Sequence, residues 1–200
     1  MPTSSRSFST SLILCSSSFF LGALFVNWTY DHQTLWTPAA PDSAFDLSKT
    51  HYTQLATEPG LIQTIFIAVI GFALLGFLIK LYKPSESNKL FDGGSLVLFM
   101  AGLIVFMTNV RTGYDSLLDD DWGDVDEHTG INVIAASQVM IALTLLGVLG
   151  LQVGQYWAEV QDDEEQKEFD REQSELRAKR QAAAKAAAEE AGESEAKKDR

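Results

Sequence analysis

The chain has 200 residues, with 15 Lys and Arg against 27 Asp and Glu, a net charge of −12 and a mean hydropathy near zero. The acidity excludes nucleic acid as a ligand, because phosphate binding needs a basic face and no basic cluster stands clear of neighbouring acids. The charge is also segregated: residues 159–200 hold 9 basic and 14 acidic side chains, 23 of the 42 charges, which excludes one mixed globular fold.

The chain before the charged segment reads as membrane. Four apolar stretches are each long enough for a hydrocarbon core that takes roughly 20 helical residues to cross. The first span covers about 8–26, between Arg6 and Asp31, with the apolar core FFLGALFV. It reads as an uncleaved span, since cleavage after Ala23 would put Leu21 where a small residue is needed and Arg6 alone makes a thin basic region. Cys15 is the lone cysteine and reads as a small buried apolar residue. The sequon Asn27-Trp28-Thr29 abuts the end of this span, where a glycosyltransferase hardly reaches. The following loop is rich in aromatics, and a short helix is expected at about Phe45 to Ala56, capped by Asp42 or Ser43.

The second span covers about 61–79, with Lys80, Tyr82 and Lys83 as an interfacial anchor. The third, 93–110, is closed by Arg111. The fourth, 133–157, exits at Tyr156-Trp157. Beyond it, residues Glu159 to about Ala191 favour a solvated helix, with opposite charges at helical spacing in Asp163 with Lys167, Glu175 with Lys179 and Lys185 with Glu189. The expected fold is therefore all-α: a four-span membrane domain over 1–158 and a charged helical tail over 159–200.

Orientation follows the basic residues, which are retained on the cytosolic side. The loops 27–60 and 111–127 hold one basic residue each, Lys49 and Arg111, whereas the turn 80–92 carries Lys80, Lys83 and Lys89, and the tail begins with Lys167, Arg171 and Arg177. Both termini are expected in the cytosol, with the two larger loops on the far side.

No ionisable residue falls in the centre of any span, which disfavours a pump or an ion-coupled transporter. His32, His51 and His128 sit in separate loops without a partner at ligand spacing, and Asp119 to Glu127 lacks the ligand alternation of a calcium loop, so neither a metal nor another cofactor is expected. The spans offer small residues instead, Gly150 and Gly154 among them, and the uncharged polar side chains Asn109, Asn132, Ser137, Gln138, Thr144 and Gln152. These suit hydrogen bonding between membrane helices, within the bundle or to another protein. At the end of the chain, Lys197 and Lys198 stand four and three positions from the C-terminus. That is the dilysine arrangement by which a retrieval coat returns membrane proteins to the endoplasmic reticulum, and it works only on a cytosolic terminus.

Several strings then point to one family. They are FLGALF leading to Asn27 and Tyr30-Asp31, Phe45-Asp46-Leu47 with His51-Tyr52, LIKLYKP with Leu90-Phe91, TNVRTG at 108–113, Trp122-Gly123 and VIAAS at 133–137. In this order they resemble the fungal Shr-three family over about Leu21 to Trp157, and the tail resembles it in character alone. The resemblance implies a non-enzymatic chaperone of the endoplasmic-reticulum membrane that helps amino-acid permeases fold and leave in COPII vesicles. Its expected partners are the permeases, vesicle-coat components at the tail, the retrieval coat at Lys197 and Lys198, and the lipid bilayer. Client contacts are expected at Asn109, Asn132, Ser137 and Gln138. A general cargo-export receptor and a structural subunit of a larger membrane complex would share this topology.

Overall fold

The computed structural model describes residues 3–82 and 89–198, with side chains described for 8–82 and 89–181. Lys83 lies outside the described residues, and the side chains of Arg6, Lys185, Glu189, Lys197 and Lys198 lie outside the described side chains. The architecture is all-α: α1 (Thr3–Leu35), α2 (Asp42–Ala56), α3 (Gly60–Tyr82), α4 (Lys89–Val105), a π-helical turn (Phe106–Val110), α5 (Arg111–Asp119) and α6 (Glu127–Lys198). Four helical stretches among the described residues are long and apolar enough to cross a membrane: Phe8–Leu35, Gly60–Tyr82, Lys89–Asp119 and Glu127–Gln181. The chain divides into two compact units, Met1–Gln155 and Tyr156–Arg200.

In the first unit each membrane helix runs past its apolar stretch because polar flanks continue the same backbone hydrogen bonds. Helix α1 extends to Leu35, nine residues past the expected end of the span at Val26, and α4 continues through the π turn into α5, where a loop was expected. The helix expected near Phe45 is α2, but neither Asp42 nor Ser43 caps it. It starts at Asp42 with Pro41 in the capping position, and the Pro41 carbonyl accepts from the Ala44 amide at 2.9 Å. Helix α6 does have a side-chain cap: the Asp126 carboxylate accepts from the Thr129 amide at 3.0 Å and the Thr129 hydroxyl at 2.8 Å. These bonds hold its carboxyl below the usual range.

The apolar middle of the bundle is built from Ile13 of α1, Ala73 and Phe77 of α3, Phe99 of α4, and Ile141, Leu145 and Val148 of α6, all buried. Phe77 and Phe99 meet with ring centroids 5.6 Å apart. Lipid is as apolar as these side chains, so close fit rather than water exclusion holds this layer together. Cys15 is not part of it, and points outward. The helical period puts Cys15 on the far side of α1 from Ile13 and Ser17, which face the bundle.

In the second unit the described side chains Val160 to Gln181 are all exposed. Glu175 pairs with Arg171 at 3.6 Å rather than with Lys179, and Gln166 donates to Asp170 at 3.1 Å, while Asp163 and Lys167 form no ion pair. On a solvated helix such pairs are nearly equivalent in energy, so charge spacing does not select between them.

Candidate functional site

Two polar layers close the bundle above and below its apolar middle. The first joins the end of α3, the start of α4 and the middle of α6. The Lys80 ammonium on α3 donates to Gln152 Oε1 at 2.6 Å and Gln155 Oε1 at 2.8 Å, and forms an ion pair with Asp92 Oδ1 of α4 at 3.1 Å. Gln152 Nε2 donates to Ser95 Oγ at 2.9 Å, and Gln155 Nε2 donates to the second carboxylate oxygen of Asp92 at 3.3 Å. Lys80 and Asp92 are 7% and 4% exposed, so Lys80 is no interfacial anchor. The ammonium gives two protons to the glutamine amide oxygens and meets the Asp92 carboxylate as a counter-ion. Although the span centres lack charge, one complete ion pair is therefore buried at their edge.

The second layer lies about 21 Å away along α6, from Gln152 to Gln138 at 1.5 Å per residue. Asn27 Nδ2 of α1 donates to Gln138 Oε1 at 2.8 Å, and His51 Nε2 of α2 lies 2.9 Å from Asn27 Oδ1. The amide oxygen of Asn27 only accepts, so His51 carries its proton on Nε2. With its nitrogen bound to Gln138 inside a helix, the sequon asparagine offers no free amide in the folded chain. Beside it, Asn109 Nδ2 of the π turn donates to Ser137 Oγ at 3.0 Å, and that hydroxyl donates to the Val133 carbonyl at 2.7 Å.

Helix α2 covers this layer as a strap. His51 stacks on Tyr30 at 3.8 Å, Phe45 stacks on His128 at 4.0 Å, and the Tyr52 hydroxyl donates to the Asp31 carboxylate. Burial, and then the Asp31 charge, keep the Tyr52 phenol protonated at any ordinary pH. Lys49 reaches Glu127 at 2.7 Å and Asp120 at 3.5 Å, and the Glu127 carboxylate lifts its pKa. Arg111 meets Asp115 at 3.5 Å, so each of the two basic residues in these loops is ion-paired.

Burial holds the His51 imidazole below its ordinary value of 6.5, so the folded state favours neutral His51. Its contribution is present above about pH 6.5 and is lost as the pH falls through that value toward the lower folded pKa. Protease resistance of the 36–60 segment in detergent is expected to fall between pH 7.5 and pH 5, with His51→Gln flattening this dependence; an unchanged profile would remove His51 from the account.

Three of the four candidate contact residues, Asn109, Ser137 and Gln138, thus take part in the second layer, and among the described residues no hydrogen bond joins Asn132 to it. Ser137 and Gln138 are 2% exposed, Asn109 is half-buried at the rim, and Asn132 is half-buried with its amide oxygen enclosed and unpartnered. Gly154 faces Phe91, whereas Gly150 faces open space, so this pair does not form one contact. No group of three or more metal-ligating side chains occurs among the described residues. Sequence reasoning missed Asn27, His51, Lys80, Asp92 and Gln155 as members of these layers. One signal was available for the first layer: Lys80 and Asp92 are opposite charges at the facing ends of two consecutive spans.

A family model for the SHR3 chaperone, described as ER membrane protein SH3, matches residues 4–193. The chain belongs to that family. The SHR3 chaperones are proteins of the endoplasmic-reticulum membrane, and the family is one of chaperones and not of enzymes. The chain is also 30% identical over 142 residues to secretory component protein psh3 of Schizosaccharomyces pombe, which covers 71% of this chain and 66% of that relative, just under two thirds of the relative's length. No solved structure matches.

Proposed function

We propose that this SHR3-family chain is a multi-pass chaperone of the endoplasmic reticulum, with both termini in the cytosol, that shields the membrane helices of amino-acid permeases until they are packaged for export. The observation that carries this reading is the family match, which runs through the membrane unit and on into most of the tail, to residue 193. The physical basis is contact between helices in lipid. A partly folded permease exposes polar helix faces that hydrocarbon does not satisfy, and a preformed bundle with small and polar side chains covers them reversibly without ATP.

The membrane domain expected from the sequence, residues 1–158, holds the client, and the tail, 159–200, engages the vesicle coat, with Lys197 and Lys198 as the retrieval signal that brings the chaperone back. Asn109, Asn132, Ser137 and Gln138 remain the client contacts in this reading. Asn109 borders the surface, whereas contact through Ser137 or Gln138 exchanges an internal hydrogen bond to Asn109 or Asn27 for one to the client, at little net cost in lipid.

The test is removal of the protein while imaging two tagged cargoes, an amino-acid permease and a sugar transporter. Retention of the permease alone in the endoplasmic reticulum is the expected outcome. Retention of both would indicate a general cargo-export receptor, and retention of neither a structural subunit.

A further inference from the structure

At the π turn a polar side chain of the second layer reaches the outer surface of the bundle. A π turn inserts one extra residue into a helix and rotates the next turns about the axis, and such insertions occur often at functional sites. Here Asn109 faces Ser137, while its neighbour Thr108 is exposed on the outside. The Thr108 hydroxyl lies 2.9 Å from the Ile104 carbonyl and 3.0 Å from Asn109 Oδ1, but it has one proton and serves one of them at a time. When it serves Ile104, the Asn109 amide oxygen is an acceptor without a donor at the rim of the bundle. Thr108 and Asn109 belong to the apolar interval that Arg111 ends, so this acceptor lies less than a helical turn inside the hydrocarbon boundary. Along the same span Met100, Ile104 and Met107 are 38%, 57% and 56% exposed. Methionine adapts to varied partner shapes, and that suits a surface meeting more than one helix sequence.

Lipid tails provide no donor, so the complementary group is a polar side chain carried by another membrane-embedded helix. We infer that the π-turn face of the third span, Met100 to Asn109, docks a transmembrane helix of a client protein that carries a hydrogen-bond donor about one turn inside the membrane boundary. The inference rests on the chaperone reading above and gives its client surface a location.

The experiment uses the full-length protein in its native membrane, with an epitope-tagged amino-acid permease as the probe. A photoreactive benzophenone residue is placed at Ile104 or Met107, and at Leu75 or Leu78 of α3 as controls on another exposed face, 46% and 64% accessible. Permease crosslinks are expected at 104 and 107 well above those at 75 and 78. Thr108→Val keeps the shape and removes the internal donor that competes for the Asn109 amide oxygen, and it is expected to raise crosslinking from 107 and permease co-purification by about threefold over wild type, the worth of one such bond in lipid. Thr108→Ser is expected to return both to the wild-type level, with chaperone abundance equal in all three proteins. Equal crosslinking from both faces, or a silent Thr108→Val, would overturn the docking surface. If deletion of the chaperone still retains the permease, the chaperone reading survives that failure; if deletion leaves export intact, the reading itself falls.

Discussion

Replacing Lys80 by methionine is expected to destabilise the membrane unit more than any other single side-chain truncation in it. The substitution keeps the apolar stem and removes the charge, which leaves the Asp92 carboxylate buried without its counter-ion and the Gln152 and Gln155 amide oxygens without their donor. Breaking one side of a buried ion pair costs about 3–5 kcal/mol, against a total stability of about 5–15 kcal/mol for a typical domain. The double variant Lys80→Met with Asp92→Leu removes both charges, and it is expected to recover most of that loss, because an ion pair replaced by apolar groups of similar volume is often close to neutral. The thermal aggregation midpoint of the detergent-purified protein measures both, with cellular half-life as a second readout. A single variant as stable as wild type would mean that the pair is solvated and contributes little.

This ion pair shows where sequence reading stops. Hydropathy registers how much of a helix prefers lipid, and that is enough to place four spans and a charged tail. It does not register how each helix is turned about its own axis. Lys80 next to Tyr82 reads as an interfacial anchor because a lysine at the end of a span usually extends to the headgroups. Only the rotation that points Lys80 at Asp92 and Gln152 makes it an interior residue. The same holds for Asn27, which reads as the head of an unused sequon until α6 brings Gln138 against it from 111 residues away. The candidates Asn109, Ser137 and Gln138 were legible as polar groups in lipid, but the hydrogen bonds they form with one another and with Asn27 were not. The π turn had no signal at all, since FMTNV continues a helical pattern without a break, and within it Asn109 meets Ser137.

Two glycines of α3, five residues apart, make the last prediction a matched pair. A side chain on Gly76 would place its first carbon 2.9 Å from the Ser9 carbonyl oxygen and 3.0 Å from the Ile13 side chain, in the contact between α1 and α3. A backbone oxygen does not move aside like the end of a flexible chain, so Gly76→Leu forces the two helices apart. Overpacking a fitted contact costs typically about 1–3 kcal/mol, and here it also opens the layer containing Ile13 and Phe77. Gly71 has nothing within 4 Å of the same position and faces lipid, so Gly71→Leu adds an apolar side chain to an apolar solvent. Gly76→Leu is therefore expected to shorten the half-life of the protein and to block permease export along with it, while Gly71→Leu matches wild type in both. A cysteine pair across α1 and α3 that crosslinks in wild type and in Gly71→Leu but not in Gly76→Leu would trace the loss to this contact. Equal damage from the two substitutions would mean that Gly71 also faces a protein, and the α3 surface would then have to be counted among the client-facing sides of the bundle.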